Sequence, residues 1–310
     1  MADVAEEVLA FFGSTPVLRR WHVRELWGEE GVAALEGLER SGKVVRPPCL
    51  APSRLEVESG PYFVRKGQKL SPQKVAALSL LGGAVVEAAR SGLEVKLSPG
   101  SWRGFAPAGV LEYGKARCGV WVLGSREALA SQDAEAVAGF LERHGSECGL
   151  WALVVEPAYF AQARYLLLER LLLPSFWVFA LPDSAWLLYD LLVFPLRRAW
   201  HLARILSRHY GAEVKAEEDI GVVGGVTGVL PGGRRVVLVD GVNDVSVVRK
   251  LRLHNPRGRA RGVYVQAGDK GWGRLLLERL GYPPWVRVVV GESVWSVKDG
   301  ELREVGRDAA

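Results

Sequence analysis

The sequence predicts an α/β protein in which a small N-terminal domain is followed by two copies of one α/β domain. Apolar runs typical of buried strands alternate with helical segments through both halves, which indicates a sheet covered on both faces. Three blocks also recur in the same order: LEVK at 93–96 with AEVK at 212–215, AGVLEYGKARCGVWVL at 108–123 with TGVLPGGRRVVLVDGV at 227–242, and LLLERL at 166–171 with LLLERL at 275–280. The first two offsets are 119 residues and the third is 109, as a duplication with one shortened connection would leave.

The N-terminal domain, predicted at 1–70, has a pattern of its own. A helix at 3–12 is followed by Pro16, a short helix, a longer helix at 29–41, a strand, a polar loop at 51–60 and a second strand. This order resembles that of winged-helix domains, in which LEGLERSGKVVR would be the recognition helix running into the first wing strand. The resemblance implies DNA binding.

The charges of this domain leave two interpretations open. The candidate recognition helix is acidic and would be repelled by phosphates, since it holds Glu29, Glu30, Glu36 and Glu39 against Arg40. The basic residues lie around it, at Arg19, Arg20, Arg24, Lys43, Arg46, Arg65 and Lys66. Either the domain docks on DNA through its wing, with Arg46, Arg65 and Lys66, or the acidic helix contacts a protein partner.

The two copies, predicted at 71–183 and 184–310, share one order of elements. An amphipathic helix at 73–91 or 196–210 precedes a short strand and a hairpin whose turn contains glycine, as tight reversals require. A helix, an apolar strand, the LLLERL helix and a last strand follow. In the first copy these lie at 126–144, 150–155, 166–171 and 176–181, and in the second near 243–253, 262–266, 275–280 and 285–290.

This order resembles the restriction-endonuclease-like (PD-(D/E)xK) fold. The resemblance implies an Asp that opens the hairpin and a Glu-x-Lys or Asp-x-Lys on the next strand, which bind Mg²⁺ and activate water. The corresponding positions hold Ala108, Trp121 and Leu123 in the first copy and Thr227, Asp240 and Val242 in the second. Neither set is complete, so the resemblance implies the scaffold without the nuclease activity.

A second motif, VVLVDGVNDV at 236–245, surrounds Asp240. It resembles the Gly-Asp-Gly-x-Asn-Asp box of haloacid-dehalogenase-type phosphatases, whose acids hold Mg²⁺, but the upstream Asp-x-Asp of that family is missing. The alternative is a strand that ends in an Asp-Gly turn, with Asn243 or Asp244 capping the next helix. Asp240, with Asp219, is the candidate for a metal-facing carboxylate.

The strongest functional signal is the basic stretch RKLRLHNPRGRARG at 249–262. It contains Arg249, Lys250, Arg252, Arg257, Arg259 and Arg261, beside His254. No acid occurs from Val245 to Gly268, whereas the corresponding segment of the first copy, 126–149, is acidic. Arginine beside glycine and proline suits bidentate phosphate contacts, so the stretch predicts a nucleic-acid-binding loop. A solvated basic loop without a ligand is the alternative.

Composition limits the class of protein. Apolar residues make up 49% and charged residues 24%, which predicts a folded globular chain, and the net charge of +5 is compatible with a polyanionic partner. One Met, two Ile, two Asn and an excess of Arg over Lys fit a thermophile or a GC-rich genome. The most apolar region, 165–196, is interrupted by charges and prolines, and acids occupy the N-terminus. We therefore expect a cytoplasmic protein without a membrane span.

The three cysteines, Cys49, Cys118 and Cys148, lack metal-ligand spacing. Buried free thiols are one expectation and a Cys118–Cys148 bridge is the other.

These patterns together predict a non-catalytic nucleic-acid-binding protein without a cofactor, with DNA favoured over RNA. One alternative is a Mg²⁺-dependent nuclease or phosphohydrolase that uses Asp219 and Asp240. The other is a protein-assembly subunit that does not bind nucleic acid and contacts a larger complex through helix 29–41.

Overall fold

The computed structural model describes residues 3–47, 62–102, 105–123, 131–170, 175–181, 183–217, 225–253, 262–298 and 301–306. Over these residues the chain is mixed α/β with three sheets, which confirms the predicted α/β class. It forms two compact units. The first comprises Met1–Leu166 and Val178–Val193, and the second comprises Leu167–Trp177 and Phe194–Ala310.

The N-terminal part of the first unit is a small helical domain closed by a sheet. It contains α1 (Val4–Phe11), β1 (Val17–Arg19), α2 (Arg20–Arg40), β2 (Val44–Val45) and β3 (Tyr62–Arg65). The strands pair antiparallel in the order β1-β3-β2. Gly28 has a φ of 64° and divides α2 into a short and a longer helix, as the sequence predicts. The core of this domain is formed by Val8, Phe12, Leu18, Val23, Leu35, Leu38, Val44 and Phe63.

The rest of the first unit is an α/β domain. Its elements are α3 (Pro72–Arg90), β4 (Lys96–Pro99), β5 (Gly109–Tyr113), β6 (Ala116–Val122), α4 (Ser131–His144), β7 (Leu150–Val155), α5 (Phe160–Arg170), β8 (Phe176–Ala180) and α6 (Ser184–Val193). The sheet order is β4-β5-β6-β7-β8. Strands β4 to β6 pair antiparallel, and β6 pairs parallel with β7. The two N-terminal residues of β8, Phe176 and Trp177, are grouped with the second unit.

The second unit contains the larger sheet. Its elements are α7 (Arg197–Tyr210), β9 (Lys215–Glu217), β10 (Gly225–Val229), β11 (Arg235–Asp240), α8 (Val247–Leu253), β12 (Val263–Gln266), α9 (Lys270–Leu280), β13 (Val286–Val290), β14 (Ser293–Lys298) and β15 (Glu301–Glu304). The sheet order runs from β15 to β9 in reverse chain order. Strands β11, β12 and β13 are parallel, and the outer pairs are antiparallel. The sequence predicts these elements to within a few residues, except for the hairpin β14–β15, which it did not anticipate.

Helices α7 and α9 cover opposite faces of this sheet. Leu206 of α7 shares a core cluster with Leu238 and Val289. Gly273 of α9 lies against Val288, where a β-carbon would come 2.5 Å from the Val288 side chain. Since neighbouring residues of a strand point to opposite faces, α7 and α9 are separated by the sheet.

Two further expectations concern thiols and membranes. Cys118 and Cys148 are buried free thiols, so the bridge between them is not formed, while Cys49 lies outside the described residues. Among the described helices, none combines the length and the apolar character needed to cross a bilayer. The cytoplasmic location and the thermophilic source stay predictions.

The N-terminal domain packs on α3 through buried polar residues. Arg19 donates from Nε to the hydroxyl of Ser79 in α3, and its guanidinium lies 5.0 Å from the ring centre of Tyr62. His22 is fully buried, and its Nδ1 accepts from the backbone N–H of Arg19 at 3.2 Å. Burial, together with the charge of Arg19, lowers the pKa of His22 to about 3.

This depressed pKa makes stability depend on pH. In the unfolded chain His22 titrates near about 6.5, whereas in the folded chain it stays neutral. Its contribution is therefore complete above about pH 6.5 and is lost as the pH falls toward 3, at up to about 1.4 kcal/mol per pH unit. We expect urea unfolding between about pH 6 and 5 to show a steeper loss of stability in wild type than in His22→Gln. Equal slopes would contradict this.

Two glycines predict opposite effects on stability. A β-carbon on Gly83 in α3 would lie 2.8 Å from that of Ala185 in α6, so Gly83→Ala forces the two helices apart and should cost about 1–3 kcal/mol. Gly37 in α2 has no atom within 4 Å of that position, so Gly37→Ala should stabilise by about 0.5–1 kcal/mol through helix propensity. Thermal unfolding measures both. A stabilised Gly83→Ala variant would overturn the close packing of α3 on α6.

Candidate nucleic-acid interface

Strand β11 ends in a turn whose polar side chains are almost completely buried. Asp240, 7% exposed, accepts the backbone N–H of Val242 at 2.9 Å through Oδ1 and Nη1 of Arg198 at 3.1 Å through Oδ2. The same nitrogen of Arg198 donates to Oδ1 of Asn243 at 2.7 Å. Because Arg198 lies in the first turn of α7, these bonds fix the start of that helix to the end of β11.

This geometry does not make Asp240 a metal-facing carboxylate. Each of its oxygens already accepts a hydrogen bond, and the nearest charge is the cation of Arg198. In the parts of the chain that the structure describes, no three His, Cys, Asp or Glu side chains come together to hold a metal ion. Asp219 lies outside the described residues. Asp240 therefore does not support the Mg²⁺ site of the hydrolase alternative, and its partner Asp219 stays untested.

The next residues form a buried ion pair instead of a surface contact. Nζ of Lys250 lies 2.6 Å from Oδ2 of Asp244, and it also lies 4.5 Å from the ring centre of Trp177. Asp244 accepts the backbone N–H of Ser246 at 2.9 Å in the turn that precedes α8. This bond lies within the turn and is not the predicted cap on an N–H of the helix, which begins at Val247. Burial raises the pKa of Asp244, and Lys250 opposes that shift. Lys250 is 4% exposed, so including it among the phosphate contacts was wrong.

The described part of the predicted basic loop is short. Arg249 is half-buried, and Arg252 is exposed and donates to the backbone carbonyl of Arg279 in α9. Both lie in α8, on the α9 side of the sheet. The remaining predicted contacts lie outside the described residues: Arg257, Arg259 and Arg261, with His254.

The three wing residues predicted to contact nucleic acid, Arg46, Arg65 and Lys66, are exposed, whereas Arg19 of the same domain is buried. Arg65 and Lys66 lie at the end of β3, and the backbone N–H of Lys66 donates to the carbonyl of Lys43 at 3.0 Å. Arg46 is exposed after β2, and its guanidinium pairs with Glu39 at 2.7 Å. These side chains gather around the strands β2 and β3, at the predicted wing.

The acidic helix that was predicted to contact a protein partner in the alternative interpretation has most of its negative charge compensated by arginines. Glu29 pairs with Arg24 at 2.7 Å, Glu36 pairs with Arg20, and Glu39 pairs with Arg46. Exposed pairs of this kind contribute little stability, but they reduce the local negative potential. The helix is therefore less acidic in the folded domain than its sequence suggests.

A further basic surface of the described residues lies on α7, where the sequence predicted no site. The outward positions of this helix are exposed and spaced by one helical turn, and we call them the α7 face: Arg197, Trp200, His201, Arg204 and Arg208. The opposite positions, Ala199, Leu202, Ala203, Ile205 and Leu206, belong to the core of the second unit. The face carries three arginines, of which Arg208 pairs with Glu292, and Arg197–Tyr210 itself contains no acid, so the face has a positive local charge.

The aromatic content of the α7 face is unusual for a solvent-facing helix. Trp200 is 45% exposed, although Trp121, Trp151 and Trp272 are buried. Directly before the helix, the guanidinium of Arg197 covers the ring of Phe194 at 4.0 Å, and Phe194 is itself 37% exposed. At the other end, Arg208 pairs with Glu292 at 3.0 Å. Within the described chain, Arg204 forms no ion pair.

The sequence contained the signal for this face. The amphipathic period of 196–210 predicts that the leucines lie on one side of the helix and Trp200 with most of the arginines on the other, but it does not show that Arg198 turns toward Asp240. The cations at 249–262 lie close together in the sequence itself. The cations of the α7 face are separated by three or four residues and become neighbours only when the helix forms.

The buried pair of Asp240 and Arg198 predicts a stability difference between two similar ion pairs. Asp240→Asn leaves Arg198 without its counter-charge in a site that is largely closed to water, and should destabilise the protein by about 1–3 kcal/mol. The control is Glu217→Gln, which removes an exposed partner from Arg235 at 2.6 Å. Urea unfolding should show a much smaller change for this control. Equal effects would mean that Arg198 does not depend on Asp240.

Comparison with known proteins leaves function to be argued from this geometry. No protein-family model matches the sequence, no curated protein is significantly similar to it, and no solved structure matches it. The resemblances to the winged-helix and restriction-endonuclease-like folds therefore rest on the order of elements in this chain.

Proposed function

We propose that the protein is a non-catalytic nucleic-acid-binding protein that holds phosphates on the second unit. The observation that carries this proposal is the α7 face, which presents Arg197, Arg204 and Arg208 on one exposed side of a helix without an acid. Arginine donates several hydrogen bonds in a fixed geometry and recognises phosphate oxygens bidentately. The local charge, and not the modest net charge of the chain, would attract the polyanion.

The α7 face is also well supported by the structure beneath it. Leu202 and Leu206 are fully buried, and Arg198 fixes the first turn to Asp240 and Asn243. A cation on a rigid helix loses less conformational entropy on binding than one on an unstructured segment. The arginines would therefore meet a phosphate backbone with their spacing already set.

The scaffold that we propose is a winged helix followed by a duplicated restriction-endonuclease-like domain. The order β1-β3-β2, together with a helix divided at Gly28, supports the proposed winged helix.

The proposed duplication is supported by the strand pairings of the two larger sheets. In both sheets two antiparallel pairings precede a parallel one, with α4 or α8 in the crossover.

The absence of catalysis is part of the proposal. The position at which the resemblance requires a metal-binding acid in the second copy is Asp240, and its carboxylate accepts from Arg198 and Val242. The positions of the other motif residues hold Ala108, Trp121, Leu123 and Thr227, which cannot supply a metal-binding carboxylate or an activating Lys.

Other basic residues would add phosphate contacts to those of the α7 face, but the proposal does not depend on them. Arg249 and Arg252 lie across the sheet from the α7 face, and Arg46, Arg65 and Lys66 lie in the N-terminal domain. We propose that DNA is favoured over RNA because the proposed winged helix precedes the second unit. The binding experiment includes RNA for comparison.

Binding to labelled DNA and RNA across a salt series, measured by fluorescence anisotropy, tests the proposal. A triple variant with Ala at Arg197, Arg204 and Arg208 should lose at least about tenfold in affinity, and the slope of log K against log salt should fall by about two to three. The matched control removes three exposed arginines elsewhere, at Arg24, Arg143 and Arg303, with the same change of net charge. It should retain affinity to within about threefold.

Two results would overturn the proposal. Equal losses in both triple variants would show that net charge, and not the α7 face, attracts the nucleic acid. Failure of wild type to bind at moderate salt would remove the function itself, and the assembly-subunit alternative would then lead.

A further inference from the structure

We infer that the α7 face binds single-stranded nucleic acid in preference to duplex, with Trp200 and the stacked pair of Phe194 and Arg197 as platforms for unpaired bases. The inference rests on the proposed function, because it specifies which nucleic acid the same face receives. It concerns the aromatic side chains of the face, whereas the proposed function concerns its charges.

The first observation is the exposure of Trp200 among cations. Its neighbours on the helix surface are Arg197, one turn before it, and Arg204, one turn after it. A large aromatic side chain in water loses the free energy that burial would provide. Trp200, which is 45% exposed as a whole residue and lies between two arginines, thus offers aromatic surface directly beside groups that bind phosphate.

The second observation is the pair formed by Phe194 and Arg197. The guanidinium lies 4.0 Å from the ring centre, within the range of a cation–π interaction, and Phe194 as a whole residue is 37% exposed. Stacked aromatic and guanidinium planes are surfaces on which nucleobases also stack. Phe194 and Trp200 lie six residues apart, so the two platforms flank the first turn of α7.

These platforms distinguish the two forms of nucleic acid. In a duplex the base faces stack on each other, so a side chain reaches only base edges, sugars and phosphates. In a single strand the faces are open, and each base stacked on an aromatic side chain contributes favourably whatever its sequence. Positive charges alone would bind the phosphates of both the single strand and the duplex. Exposed aromatic planes add affinity only for the single strand, whose base faces are open.

An exposed tryptophan elsewhere in the chain provides an internal comparison. Trp186 in α6 is 47% exposed, close to the exposure of Trp200. The helix that carries it, Ser184–Val193, contains no Lys or Arg. Trp186 therefore has the aromatic surface without phosphate-binding neighbours on its helix, which makes it the matched control for Trp200.

An anionic membrane is the other polyanionic surface to consider. A helix that binds in a bilayer interface inserts its apolar side among the lipids. In α7 that side, including Leu202 and Leu206, is fully buried in the core of the second unit. The helix cannot present it to lipid without unfolding, so the exposed residues favour nucleic acid.

The test uses the full-length protein and three probes: a labelled oligo-dT strand, a duplex of the same length, and vesicles of phosphatidylcholine with phosphatidylserine. Wild type should bind the single strand at least about fivefold more tightly than the duplex. Trp200→Ala should lower single-strand affinity about tenfold and change duplex affinity less than about twofold. Trp200→Phe should restore most of the loss, and Trp186→Ala should match wild type. Quenching of intrinsic fluorescence by oligo-dT should weaken in Trp200→Ala.

The possible failures can be distinguished. If the single strand and the duplex bind equally, and only the triple arginine variant is impaired, the present inference is wrong and the proposed function stands. If Trp186→Ala and Trp200→Ala are impaired alike, Trp200 is not a specific platform and the inference is again wrong. If neither nucleic acid binds, both proposals fall, and binding to the vesicles alone would replace them with a membrane surface.

Discussion

The ionic hydrogen bonds of Arg198 with Asp240 and Asn243 are the contact on which the candidate site depends. The Asp240 carboxylate is almost closed to water, so the pair is screened less than the surface pairs of this chain, such as Arg235 with Glu217. It holds the first turn of α7 at the end of β11. The apolar side of the helix can then face the sheet, and the same rotation turns Trp200 and Arg204 outward. This contact and the apolar side of α7, which packs in the core, together orient the cationic face.

A basic residue in this sequence need not carry its charge at the surface of the protein. Lys250 belongs to the most basic stretch of the chain, yet its ammonium is buried against Asp244 and Trp177. Arg19 is likewise buried, where it bonds Ser79 and lies over Tyr62. Buried charges of this kind require partners because their desolvation is costly. They support packing between elements, so under the proposed function only the cations at exposed positions would contact a polyanion.

The two α/β domains show how one arrangement of strands can carry different surfaces. The helix after the central hairpin is acidic in the first domain, with Asp133, Glu135 and Glu142 in α4, whereas α8 in the second contains only basic charges. The helix before the sheet differs in the same direction, because α7 has four arginines and no acid. Under the proposed duplication, the strands kept their order while the covering helices of the second copy became cationic.

Apolar periodicity and glycine act locally along the chain, so the sequence by itself determined the α/β class, the break in α2 and most of the order of strands and helices. It did not predict helix α6. The hairpin β14–β15 was missed, since its alternation is short and partly exposed. Only the tertiary structure decided that Asp240 meets Arg198 and that Lys250 is buried, because those partners are 42 and 6 residues away and come together through folding. It also decided which arginines form one face. That grouping follows from which side of α7 the core covers, and a linear reading of the cations does not contain it.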